Sequence, residues 1–171
     1  MPHLFSGWDG FHRLVVHFPI ILFLAAPLFV LVGTVSSAAR KRLLLGSALI
    51  LMVLGTSMTY LAMATGESAT KVVVVLPAFA SLLEEHRSLA QTTRELFSVL
   101  TLGFAVLFFV YRLLGCDLDS WVRTSLLAVF LVFYGTGAVL LVETALKGNR
   151  LVHGLRAKTA ATCNLPSKGG H

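Results

Sequence analysis

Four long runs free of Asp, Glu, Lys and Arg divide the chain, at residues 14–39, 43–66, 96–111 and 124–142. Crossing a hydrocarbon core takes about 20 helical residues at about 1.5 Å each, and three of the runs meet that length outright. The third is bounded by Arg112, whose long side chain can snorkel to the interface, so Leu96–Leu114 also reads as a span. The runs are apolar all round and do not alternate, which argues against membrane strands. Only "SSAARKR" separates the first two runs, and so short a link forces an antiparallel return.

Gly66 is expected to terminate or open the second helix, with Glu67 leaving the apolar zone. Beyond it, "VVVVLPAFASLL" is uncharged but short and is interrupted by Pro77, which suits a lipid-surface or re-entrant element better than a fifth crossing. From Ala78 onward, Phe79, Leu82, Leu83, His86 and Leu89 or Ala90 recur at helical spacing, while Glu84, Glu85, Arg87 and Arg94 take the other face. The expected fold is therefore an all-α integral membrane protein. It is a four-transmembrane-helix antiparallel bundle with an extramembrane amphipathic helix before span three, and that helix continues into the span. Residues 1–155 form the membrane domain, and 156–171 a basic, flexible C-terminal tail.

Composition supports lipid as the solvent for this fold. The 171 residues are 56% hydrophobic and only 13% charged, about half the charged share of an ordinary soluble domain. Small residues follow the first run at "VSSAAR", but the run is too long for a signal peptide and only Arg13 precedes it closely, so it reads as an uncleaved span. The formal net charge of +6 comes mostly from residues beside apolar runs, a pattern that fits anionic head groups and not nucleic acid. Arg40, Lys41, Arg42, Arg112 and Arg123 flank the short links and argue that this side is cytoplasmic, with both termini outside the cytoplasm. Lys147, Arg150, Arg156 and Lys158 pull the other way. Cys116 and Cys163 fall on opposite sides of a four-span bundle and so do not form an intrachain disulfide.

An even-span bundle gathers the chemistry at one end whichever way it is inserted. Asp9, His12 and His17 begin span one, Glu67 follows span two, His86 precedes span three, and Glu143 and His153 bracket the end of span four. His17 lies within or just outside the apolar zone, where an imidazole needs a polar partner, an interface or a metal. His86 sits in the apolar stripe of its helix. Together they can offer two imidazole nitrogens from different helices, the set a low-spin haem b takes on its two axial sides, with His153 as substitute. His17 and His86 are equally the leading metal ligands, and Glu67, Glu84 and Glu85 keep a zinc or non-haem iron site open. His12, Glu67 and Glu143 form a candidate proton or polar network. Met52, Met58 and Met63 on span two can also approach a haem, but methionine is common core filler. Glu143 and Lys147, four apart, can pair along one helical face. Each of these groups also has a plain structural reading, as an interfacial or hydrogen-bonded helix end. No phosphate loop, dinucleotide fingerprint, nucleophile elbow, C-x-x-C-H haem attachment or repeated Glu-x-x-His motif occurs. Ser and Thr in "GTSMTY" suit helix packing.

"VHFPI" around His17, "MATGE" around Glu67, "PAFASLLEEHRSLA" around His86 and "GNRLVHG" around His153 together resemble the bacterial membrane family called domain of unknown function 2231, over about residues 10–155. The resemblance implies a four-helix membrane domain with polar residues clustered near one face. It also implies redox-associated settings, including combinations with Rieske-type iron–sulfur domains. The chain departs from the family in "LVHGLRA", which lacks the acidic residue before His153.

The leading functional expectation is a small cytochrome b-like subunit of the bacterial inner membrane. It is a non-catalytic electron-transfer part of a membrane oxidoreductase, relaying electrons between respiratory-complex partners and a quinone or second haem. A cofactor-free structural or assembly subunit of a membrane complex competes with it, and a small-solute or ion transporter stands third.

Overall fold

The computed structural model of the protein describes residues 8–73, 80–113 and 119–163, with side chains over 15–67, 80–110, 119 and 121–154. All regular structure among these is helical: α1 (Trp8–Val35), α2 (Ala38–Val73), α3 (Ala80–Leu113) and α4 (Ser120–Cys163). Each contains a stretch long and apolar enough to cross a membrane, namely Val15–Val35, Ala38–Glu67, Ala80–Val110 and Trp121–Gly154. Most of each stretch is not covered by the rest of the chain, as expected where lipid and not water is the outer solvent.

Only Ser36 and Ser37 connect α1 to α2. Ser36 donates its hydroxyl back to the Val32 carbonyl at 2.8 Å, closing α1. Ser37 stands at the N-cap of α2, its carbonyl accepting from Lys41 N–H at 2.8 Å. Asp119 does the same for α4, accepting from Arg123 N–H at 3.1 Å.

The pairing partners fix the topology. Phe23 on α1 packs on Gly55 of α2, while Gly33 meets Leu44 and Leu45. Thr56 and Tyr60 on α2 bond to Thr101 and Ser98 on α3, and Phe97 and Phe104 on α3 meet Tyr134 and Phe130 on α4. In each pair residue numbers rise on one helix as they fall on the other, so the bundle runs up, down, up, down. The α1–α2 hairpin is the most extensive interface and, among neighbouring helices, the α1–α4 seam is the least.

The centre is an aromatic ladder. Phe23 stacks on Phe97 with ring centroids 3.8 Å apart and planes 11° off parallel. Phe97 meets Tyr134 edge-on at 5.3 Å, and Tyr134, Phe130 and Phe104 continue toward the other end. Glycines admit the rings. A β-carbon at Gly55 would lie 2.8 Å from the Phe23 ring, and one at Gly137 would lie 3.2 Å from Phe97. Around them Ala26, Val30, Ala48 and Met52 are fully buried.

α1 carries Pro19 and Pro27 in its interior. A proline has no N–H to give the carbonyl four residues earlier, so Pro27 releases the Phe23 oxygen. Tyr134 on α4 donates its hydroxyl to that oxygen at 2.8 Å, in a buried contact. The bond satisfies a carbonyl for which the membrane interior offers no water.

One sequence expectation changes. Gly66 does not end α2, which continues to Val73. A helical glycine costs only about 1 kcal/mol relative to alanine, and α2 beyond it stays tied to α3 by an Arg87–Glu67 ion pair at 3.6 Å. Residues 80–95 form the first turns of one unbroken α3, the continuation into span three that the sequence suggested. α4 stays helical to Cys163. The re-entrant reading concerned 72–83, of which 74–79 lie outside the described residues, as do Cys116 and 164–171.

Candidate functional site

The antiparallel order brings the ends of α1 and α3 that carry His17 and His86 together with the ends of α2 and α4 that carry Glu67, Glu143 and His153. His12 also falls on α1 at this end, though its side chain lies outside the described residues. Within that end the residues separate by depth and by direction.

His17 is exposed, on the face of α1 opposite Val15, Phe23, Ala26 and Val30. It makes a contact within the chain. His86 is half-buried at the α3–α4 interface. Its ring lies against Gly148, where a β-carbon would meet Cε1 at 3.0 Å, and it reaches the Thr144 backbone carbonyl. Its Nδ1 is buried without a hydrogen-bond partner. Just below, Thr144 donates to the Leu140 carbonyl at 2.7 Å. Its oxygen therefore accepts from buried Thr93 at 3.1 Å.

Phe23 and Thr101 lie at nearly the same level, because Phe23 packs on Gly55 and Thr101 bonds to the next residue, Thr56. His17 lies roughly 9 Å from Phe23 along its axis, and His86 roughly 22 Å from Thr101 in the same direction. The α-carbons of the two histidines are thus offset by roughly 8–13 Å in depth, the smaller figure following from the Phe23–Phe97 stack. His17 faces outward from α1, while the His86 ring lies between α3 and α4 against Gly148. The sequence placed them on the same side correctly but could not resolve their levels.

The remaining candidates are also dispersed. His153 is exposed, more than a turn beyond Gly148 on α4. Glu67 is exposed and paired with Arg87. Lys147 pairs with Glu85 across the α3–α4 interface instead of with Glu143 on its own helix. Glu143 is exposed and lines a shallow groove with Leu24, Ala138, Val139 and Val142 at the α1–α4 seam. Among the described residues no group of three or more His, Cys, Asp or Glu side chains could hold a metal ion.

One polar feature escaped the sequence reading. Thr56–Thr101 at 2.9 Å, Tyr60–Ser98 at 3.3 Å, Met63–Arg94 at 3.5 Å and Glu67–Arg87 form a ladder along the α2–α3 interface. Ser98 gives its proton to the Arg94 carbonyl, so Tyr60 donates to Ser98. Arg94, expected on the outer face with Glu84 and Glu85, is only 26% exposed. Its guanidinium sits 5.3 Å from the Tyr60 ring centroid, in cation–π geometry, and its Nε is buried without a partner. The spacing of residues 56, 60, 63 and 67 on α2 was the available signal, but only a paired α3 gives it meaning. Elsewhere in "GTSMTY" the hydroxyls serve packing as expected, Ser57 and Thr59 bonding to the Val53 and Gly55 carbonyls. No family model matches the chain, and no curated protein or solved structure matches it either.

Proposed function

We propose that this protein is a cofactor-free structural or assembly subunit of a membrane complex. The observation that carries the reading is the position of the polar groups. The bundle interior is occupied by the ladder Phe23–Phe97–Tyr134–Phe130–Phe104, while ionisable side chains at the His17 end engage neighbouring helices or face outward. Glu85 and Glu67 tie α3 to α4 and α2, and His86 fills the space above Gly148. Such groups hold helix ends in register and leave outer surfaces for partners.

The cytochrome b-like alternative calls on His17, His86 or His153 as haem ligands. It fits this geometry less well, because the first two differ in depth and direction. Membership in the family called domain of unknown function 2231 belongs to the same proposal and rests on the segments around His17, Glu67, His86 and His153. So do a bacterial inner-membrane location, termini outside the cytoplasm, and respiratory subunits as partners. An extramembrane position for the first turns of α3 is part of the same proposal, supported by His86 standing roughly 8–13 Å beyond His17 toward that end.

Native gel separation of gently solubilised membranes tests the role. Membranes lacking the chain should show its partner subunits as smaller species, and restoring the chain should restore the large complex. An unchanged complex in its absence would refute an assembly role.

A further inference from the structure

His17 and Glu143 share a depth. Tyr134 bonds to the Phe23 carbonyl and ties α4 to α1 at that level. From there His17 lies roughly 9 Å along α1, and Glu143 roughly 14 Å along α4, toward the same end of the antiparallel bundle. The remaining offset, roughly 5 Å, is narrowed by side-chain direction. Side chains lean toward the N-terminus of their own helix, which carries His17 outward and Glu143 inward.

Both groups lie close to the edge of the hydrocarbon. Trp121, 77% exposed at the start of α4, suits one interface, and about 20 residues further along brings the helix to the other, just short of Glu143. Counting back about 20 residues from exposed Val35 places His17 just inside the same boundary. A carboxylate such as Glu143 at such a depth is costly against lipid and is ordinarily covered or paired.

They also flank one surface. His17 and Leu24 are seven apart and fall on one stripe of α1. Leu24 lines the seam groove with Ala138, Val139, Val142 and Glu143. This is the least extensive junction between neighbouring helices of the bundle. Copies of one chain enter a membrane in one orientation, so groups at one depth in one copy meet that depth in another. A twofold axis along the membrane normal would apply each copy's α1 stripe to the other's groove.

We propose that the chain forms a homodimer through the α1–α4 seam, with His17 of each copy hydrogen-bonded to Glu143 of the other. An imidazole N–H donates and the carboxylate accepts, and the twofold axis makes two such bonds. His17 also has a contact within its own chain, and the two ring nitrogens of an imidazole allow two partners. The inference is independent of the proposed assembly role, since it concerns only contact between two copies.

The test uses the full chain with Cys116→Ser and Cys163→Ser. Two differently tagged copies are co-expressed, one with His17→Cys and the other with Glu143→Cys, and their membranes are oxidised. A disulfide joining the two tags is expected, at a yield well above that of Leu61→Cys on both copies, which places an exposed α2 residue near the same depth. In lipid nanodiscs of defined size the unmodified chain should be a dimer, and Glu143→Leu should weaken dimerisation about tenfold, as loss of both symmetry-related interhelical hydrogen bonds implies. A mixed-tag yield no higher than the Leu61 control, or a monomeric unmodified chain, overturns the proposal. Because cross-linking reads copy-to-copy proximity alone, its failure leaves the native-gel test of assembly intact.

Discussion

Substituting Tyr134→Phe removes one oxygen from the middle of the bundle and leaves its ring in place. Tyr134 is 2% exposed, and its hydroxyl bonds to the Phe23 carbonyl at 2.8 Å. That carbonyl receives no amide from Pro27, so the substitution strands it. A buried acceptor left without a partner costs about 1–3 kcal/mol, whereas interhelical hydrogen bonds in membranes average about 0.6 and reach about 1.7 kcal/mol. The stranded carbonyl and the lack of water argue for the upper part of the membrane range, about 1–1.5 kcal/mol. Pro27→Ala supplies the test of mechanism, because an alanine at that position returns an N–H to the Phe23 oxygen. In that background the loss of the Tyr134 hydroxyl should cost under about 0.5 kcal/mol, since the carbonyl keeps a donor. The double-mutant cycle is measured by reversible unfolding in mixed micelles. An equal cost of Tyr134→Phe in both backgrounds, or no cost in either, would refute the link between proline and tyrosine.

Glycines give a second set of outcomes. Gly55→Ala should destabilise by about 1–3 kcal/mol through overpacking against Phe23, and Gly137→Ala by less, because its contact with Phe97 is looser. Gly103→Ala and Gly135→Ala meet nothing within 4 Å and should be neutral or gain up to about 1 kcal/mol from helix propensity; comparable losses at all four positions would contradict the packing account. Replacing buried Thr93 by Val should cost about 1 kcal/mol by breaking its bond to Thr144, and hydrogen exchange should then rise around Thr144 and not at the Ser36–Ser37 link. Glu85→Gln should change stability by under about 1 kcal/mol, because the pair with Lys147 is partly exposed and water screens it.

How much of this was legible beforehand depended on whether a feature was local. The four spans were readable because length and an unbroken apolar run determine them. The need to reoccupy a carbonyl freed by proline was equally readable from α1. That Tyr134 meets this need was not, because it depends on the register between residues more than a hundred positions apart. Lys147 shows the same limit: its helical neighbour Glu143 was the nearest carboxylate in sequence, but Glu85 approaches from α3. Gly66 was misjudged because tertiary contacts and helix continuation outweigh a weak local breaker. The end-clustering of His17, Glu67, His86, Glu143 and His153 followed from span parity alone. Their depths did not, since depth depends on where each helix crosses its neighbours.

The most direct measurement of the central claim is an oxidised and dithionite-reduced absorption spectrum of the chain purified gently in its native complex, with haem quantified per copy. A structural subunit with an aromatic-filled interior predicts no haem attributable to this chain, and spectra of the complex that are unchanged by His86→Ala. A stoichiometric b-type signal that His17→Ala or His86→Ala abolishes or turns high-spin would contradict it and make the protein an electron carrier.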